Sequence, residues 1–111
     1  MRTLLFTILA LFALGLPAGA AGTIEGTWRV QNGETVTFRP CAQGFCSVID
    51  TGEFAGGSVG WMAPAGARYE GQVIDPESGT AYEGHASVDG NRLTLTGCVA
   101  KIFCRSQHWT R

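Results

Sequence analysis

The four cysteines are the residues of this chain with the most reactive side chains. They form two closely spaced pairs, Cys41-x4-Cys46 and Cys98-x5-Cys104. Neither spacing matches a reactive Cys-x-x-Cys motif, and a zinc site would need thiolates, which an oxidising compartment disfavours. An even number of cysteines in a short exported chain predicts two disulfides. Four cysteines allow three connectivities, of which we favour the local one, Cys41 with Cys46 and Cys98 with Cys104.

The histidines and carboxylates give no catalytic or metal-binding pattern. His85 and His108 fall on different predicted strands and form no His-x-x-x-His motif, and no Gly-x-Ser-x-Gly motif presents a serine nucleophile. Asp75 and Glu77 lie in "DPESGTAY" (75–82), whose proline and glycine favour a turn, and their spacing does not match a calcium loop. We therefore predict a protein that is not an enzyme and that uses no metal or cofactor.

The N-terminal residues have the pattern of a secretory signal peptide. Arg2 precedes an uncharged apolar run over residues 4–16, and small residues follow at 18–20. The run is too short for a spanning helix, which needs roughly 20 residues. We predict a signal peptide at 1–20, cleaved after Ala20 or Ala21, and a single domain at 21–111. The predicted location is the periplasm or the exterior of the cell.

The charge of the chain argues against two classes of partner. Eight basic and nine acidic residues give a net charge of −1, and they form no basic stripe. Nucleic acid is therefore a poor candidate partner. No amphipathic helix is visible either, and we expect no membrane span in the mature chain.

The remainder of the chain reads as short β-strands. Apolar and polar residues alternate, and turn signals recur about every 8–12 residues, a spacing typical of an all-β sandwich or barrel. We expect Asn32-Gly33 to form a type I′ hairpin turn. Gly71 and Gly84, inside strands, indicate bends or close backbone approach. The eight predicted strands are 25–31, 34–40, 45–50, 58–62, 68–74, 80–88, 91–97 and 102–110.

Eight short antiparallel strands favour a small up-and-down β-barrel, because closure removes exposed edges. Such a barrel is wide enough only for side chains or for one small ligand. The residues that we expect to line a ligand cavity are Trp61, Tyr69, Tyr82, Leu95 and Arg105.

The sequence alone leaves the positions of two groups of residues open. Phe54, Trp61 and Met62 adjoin glycine-rich backbone. We favour packing in the core for them over a flexible apolar opening of a barrel cavity. Arg105 and Gln107 share strand parity with the apolar residues of the last strand. We favour a solvent-facing position for them, because a buried unpaired arginine is rare. An inward Arg105 would instead be able to hold a ligand carboxylate.

Two motifs carry a resemblance to the lipocalin-like (calycin) barrels. "GTWRV" (26–30) opens the first strand and "WTR" (109–111) ends the last. The resemblance implies that Gly26, Trp28 and Trp109 close the barrel and that Arg111 or Arg105 packs across the first-strand tryptophan. A guanidinium over an indole face gains cation–π attraction.

A further resemblance covers most of the mature chain. The segments that carry it are "GTWRV", "CAQGFCSVI", "GQVIDPESGTAY", "GNRLTLTGCV" and "CRSQHWTR". In these segments the chain is similar to domain of unknown function 2147, a family of small exported bacterial proteins. The resemblance implies a lipocalin-like fold and an exported location.

These observations favour a periplasmic, non-enzymatic binding module for a small hydrophobic or amphipathic molecule. The alternative is an envelope interaction protein or inhibitor that acts on another envelope protein through its loops and has a filled barrel. A cavity lined by Tyr69, Tyr82 and Leu95 would favour the first hypothesis.

Overall fold

The structure is a computed structural model that describes residues 22–111. The predicted signal peptide lies outside the described residues. Each of the eight predicted strands overlaps a strand of the structure. The strands are β1 Gly26–Arg29, β2 Thr35–Cys41, β3 Gly44–Ile49, β4 Gly60–Ala65, β5 Arg68–Ile74, β6 Ala81–Asp89, β7 Arg92–Val99 and β8 Phe103–Thr110.

The strands form a closed barrel in sequence order. Each strand pairs antiparallel with the next, and β8 returns to β1. The β7–β8 pair runs from Arg92 with Thr110 to Val99 with Phe103, whereas β1 and β8 meet through one register pair, Arg29 with Thr110. The predicted all-β antiparallel barrel is confirmed. Within residues 22–111 no helix is long and apolar enough to cross a membrane.

The alternation of the strands places one side of each strand in the core. Trp28, Phe38, Met62 and Leu93 are almost completely buried, and their strand neighbours face outward. This period-two pattern follows from the pleat of a strand, which points successive side chains to opposite faces. The core is completed by Ile24, Val36, Ile49, Ala86, Val88, Leu95 and Trp109.

A row of glycines crosses three neighbouring strands on the inner face. Gly71 pairs with Gly84, and Gly84 pairs with Gly97. A Cβ at Gly71 would collide with the carbonyl oxygen of Trp61, and one at Gly84 would collide with the side chain of Val73. These positions confirm the predicted close approach, because neighbouring backbone and the Val73 side chain occupy the place that a side chain would take.

One end of the barrel, here called the closed end, is covered by residues 22–25. The indole Nε1 of Trp28 donates to the carbonyl oxygen of Ile24 at 2.9 Å, and the amide of Ile24 donates to the hydroxyl of Tyr69 at 3.2 Å. The guanidinium of Arg111 lies 4.1 Å from the centre of the Trp28 ring. Arg111 also donates to the carbonyls of Glu25 and Gly90, both at 3.2 Å. The predicted aromatic–arginine closure is therefore present, and Arg111 forms it.

Two local predictions need correction. Asn32-Gly33 is not a type I′ turn, because only Gly33 has a positive φ, of 94°. The amide of Gly33 donates to the carbonyl of Val30, and that of Val30 donates to the carbonyl of Glu34, so glycine forms a bulge after a turn. Strand β4 begins at Gly60 rather than at residue 58, because the φ of 123° at Gly60 interrupts the extended chain before it.

Both disulfides have the favoured local pairing, Cys41 with Cys46 and Cys98 with Cys104. Each spans the turn of one hairpin, β2–β3 and β7–β8 respectively. The hairpins are thus covalently fixed at opposite ends of the barrel.

Candidate functional site

A cavity opens at the end of the barrel opposite Trp28. Its volume is about 920 Å³, within the range of small-molecule sites. Four loops form this open end: 30–34, 50–59, 75–80 and 100–102. Its apolar lining residues are Val30, Val36, Ile49, Phe54, Val59, Val73, Ile74, Pro76, Tyr82, Leu95, Val99, Ile102, Phe103 and Trp109.

The floor of the cavity is formed by core residues. Val36, Ile49, Leu95 and Trp109 are buried in the core and also line the cavity. The barrel is therefore filled with side chains from this layer to the closed end and is hollow from this layer to the open end. The glycine row lies beside the hollow part, since Gly97 lines the cavity.

Polar groups are few in the cavity wall and include a single cation. Asn32, Glu34 and Asp75 lie in the loops, whereas Arg105 and Gln107 lie on β8. The carboxylate of Asp75 accepts from the amide of Glu77 at 2.9 Å, as in the predicted turn. The arrangement is a mostly apolar chamber with polar groups on β8 and at the loops, the usual composition of a small-ligand site.

The inward position of Arg105 differs from the solvent-facing position that we favoured. Strand alternation continues through Cys104, so Phe103, Arg105, Gln107 and Trp109 all line the cavity. Arg105 remains exposed because the cavity is open to solvent at this level. Its charge is therefore not buried, and the argument against an inward arginine does not apply.

The structure places the predicted lining residues in two groups. Tyr82, Leu95 and Arg105 line the cavity. Trp61 does not: it is 44% exposed and faces outward, because its neighbour Met62 occupies the inner face of β4. Tyr69 faces inward but lies nearer the closed end, where its hydroxyl accepts from the Ile24 amide. The prediction for Trp61 and Tyr69 is thus wrong on position.

The structure also places Phe54 and Met62 in different surroundings. Phe54 is partly buried and lines the cavity, whereas Met62 belongs to the core. The rim residues Ile102 and Phe103 were missed, although they are 73% and 74% exposed. The signal for them was the apolar segment "VAKIF" between Cys98 and Cys104, where an exposed hairpin turn is usually polar.

Neither histidine approaches the cavity wall. His108 faces outward on β8, where its Nδ1 lies 3.1 Å from the hydroxyl of Thr94. His85 is on the outer face of β6, opposite Thr96 in register. Among residues 22–111 no cluster of three or more His, Cys, Asp or Glu side chains is arranged to hold a metal ion.

Comparison with known families matches residues 56–111 to the family described as "Uncharacterized protein conserved in bacteria (DUF2147)". The match begins before β4 and includes β4 to β8, which carry the glycine row and Arg105, and also Arg111 after β8. No curated protein and no solved structure matches the chain significantly. With its motifs in the expected order and half of its length matched, the chain belongs to the DUF2147 family of bacterial proteins.

Proposed function

We propose that this protein is an exported, non-enzymatic binding module that holds one small, partly apolar molecule at the open end of its barrel. The observation that carries the proposal is the hollow half of the barrel, a chamber of about 920 Å³ whose lining side chains are mostly apolar. Burial of apolar ligand surface there contributes roughly 25 cal/mol per Å² removed from water. An eight-stranded barrel has room for one such molecule.

Two features support the exported part of the proposal. Both cysteine pairs form disulfides, which persist in oxidising compartments such as the periplasm. The N-terminal sequence adds the basic residue, apolar run and small residues of a signal peptide.

The experiment is a titration with N-phenyl-1-naphthylamine, a neutral apolar molecule that fluoresces on leaving water. We expect saturable binding with one site per chain. Gly97→Leu should weaken it by at least about tenfold by filling the chamber, since a lost apolar cavity contact costs on the order of 1–3 kcal/mol. The nearest atom to a Cβ at Gly97 is the Val73 Cβ at 3.4 Å, an ordinary van der Waals contact, so the Cβ itself fits without a clash.

Ser87→Leu is the matched control, because Ser87 is exposed on the outer face of β6. It adds the same side chain outside the barrel and should leave the affinity unchanged. Absence of saturable binding to the wild-type protein, or equal weakening by the two variants, would refute a binding function for the cavity.

A second candidate is an interaction protein that binds another envelope protein through its loops. The observation in its favour is the β7–β8 hairpin tip, where Ile102 and Phe103 are exposed and Cys98–Cys104 holds the turn. It requires no ligand in the barrel. Protection of the 52–66 segment from proteolysis only when an envelope protein is added would favour it over the first proposal.

A further inference from the structure

Strand β8 presents two hydrogen-bond donors to the apolar chamber. Arg105 and Gln107 are two residues apart, so the pleat points both to the inner face, and both line the cavity. The wall that completes the chamber includes Ile49, Val73 and Leu95. The chamber therefore has a polar strip on β8, a mostly apolar wall, and Asn32, Glu34 and Asp75 at its loops.

Arg105 has no partner among the described residues. Within 22–111 the one salt bridge joins Arg68 and Glu70 at 3.0 Å, on the outer face of β5. Glu34 and Asp75 line the same cavity, yet neither carboxylate is within 4.0 Å of the Arg105 guanidinium. The five N–H donors of Arg105 are thus available, in a planar fork that matches a carboxylate.

The orientation of Gln107 leaves its amino group available as well. The indole Nε1 of Trp109 donates to the Oε1 of Gln107 at 2.9 Å. An indole N–H is a donor only, so the Gln107 oxygen must face it and the NH₂ group must point away. Trp109 is buried in the cavity floor and holds this arrangement in place.

The residue opposite Arg105 on β7 carries no side chain. Gly97 occupies that position in the β7–β8 register, and the Val73 side chain packs over it, 3.4 Å from where a Cβ would lie. A headgroup at Arg105 therefore meets no side chain from the residue directly opposite, and its neighbour on β5 is Val73. The apolar body of the same molecule would lie against Val73 and Leu95.

From this juxtaposition we infer that the ligand is an amphipathic carboxylate. Its carboxylate binds the Arg105 guanidinium and accepts from the Gln107 amide, and its hydrocarbon part lies in the apolar chamber. This inference rests on the proposed binding function and specifies its ligand class. A guanidinium–carboxylate pair with two parallel hydrogen bonds provides both affinity and orientation.

The test compares octanoate with octanol by isothermal titration calorimetry of the folded protein with both disulfides formed. The two molecules have the same hydrocarbon chain and differ in headgroup charge. We expect octanoate to bind at least about tenfold more tightly, as hydrogen bonds to charged groups contribute more than neutral ones. Arg105→Gln should remove this difference and leave octanol affinity unchanged, and Arg105→Lys should retain part of it.

Arg39→Gln is the matched control, since Arg39 is an exposed arginine on the outer face of β2. It removes the same charge from the protein and should preserve the preference for octanoate. Equal affinity of the wild-type protein for octanoate and octanol would overturn the inference while leaving cavity binding intact. So would an equal loss of the preference in both variants, which would indicate a non-local charge effect.

Octyl sulfate separates a carboxylate from a tetrahedral anion. Tighter binding of octyl sulfate than of octanoate, lost in Arg105→Gln, would overturn the carboxylate assignment in favour of a sulfate-like headgroup. If octanol, octanoate and N-phenyl-1-naphthylamine all fail to bind, the proposed function itself is wrong. The failures of the two proposals are thereby distinguishable.

Discussion

Arg111, which follows β8, packs against the first strand. Its guanidinium covers the indole of the completely buried Trp28 and donates to two carbonyl oxygens, those of Glu25 and Gly90. These contacts join three separate parts of the closed end at the β1–β8 seam, where Arg29 and Thr110 form the one register pair. One arginine therefore compensates for the sparse strand pairing at this seam.

Replacing Arg111 by Leu should lower the free energy of unfolding by about 1–2 kcal/mol, through loss of the cation–π contact and the two hydrogen bonds. Urea denaturation followed by tryptophan fluorescence measures this change. Arg39→Leu, an exposed arginine on the outer face of β2, should change stability by less than about 0.5 kcal/mol. Equal effects of the two substitutions would contradict the closing role of Arg111.

Strand β8 serves both halves of the barrel. Trp109 is buried between the core and the cavity floor, and the strand pairs along its length with β7. Towards the open end the same strand contributes Arg105 and Gln107 to the cavity. The strand that closes the barrel therefore also carries Arg105 and Gln107 in the cavity wall.

Deletion of residues 109–111 should destabilise the fold by about 3–5 kcal/mol, as truncation of a buried tryptophan does. The melting temperature from circular dichroism measures the effect. Trp109→Leu keeps the strand and should give a smaller loss, so it provides a folded variant if the deletion does not fold. A melting temperature unchanged by the deletion would contradict the assignment of β8 as the closing strand.

The strands, their order and the closing residues were predictable because each depends on local alternation, turn residues or a short motif. The limits of β4 were not, because they depend on contacts distant in sequence. The buried hydroxyl of Ser47 accepts from the amide of Val59 and donates to the carbonyl of Gly60, replacing strand pairing there. No local pattern indicates that a serine side chain will take this role.

The cavity wall was predictable only in part for a similar reason. Tyr82, Leu95 and Arg105 line the cavity, whereas Trp61 faces outward and Tyr69 lies nearer the closed end. Alternation shows which residues share a face. It does not show which end of the barrel is filled, because that depends on how residues 22–25 fold over one end.

The whole molecule divides into a filled half and a hollow half. The filled half is closed by residues 22–25 and Arg111, and it supports a floor of buried residues that includes Leu95 and Trp109. The hollow half is bounded by four loops, one of them fixed by the Cys98–Cys104 disulfide. A stable closed end with an accessible opposite end suits a protein that binds a small molecule.

Native mass spectrometry of the protein, purified without detergent from the bacterium that produces it, tests the central claim most directly. The account predicts a bound mass that is released on unfolding, present on the wild-type protein and absent from Gly97→Leu purified in the same way. The bound species should also be an amphipathic carboxylate. Detection of only the bare chain, without a bound species, for both proteins would contradict the account of the barrel as a binding module.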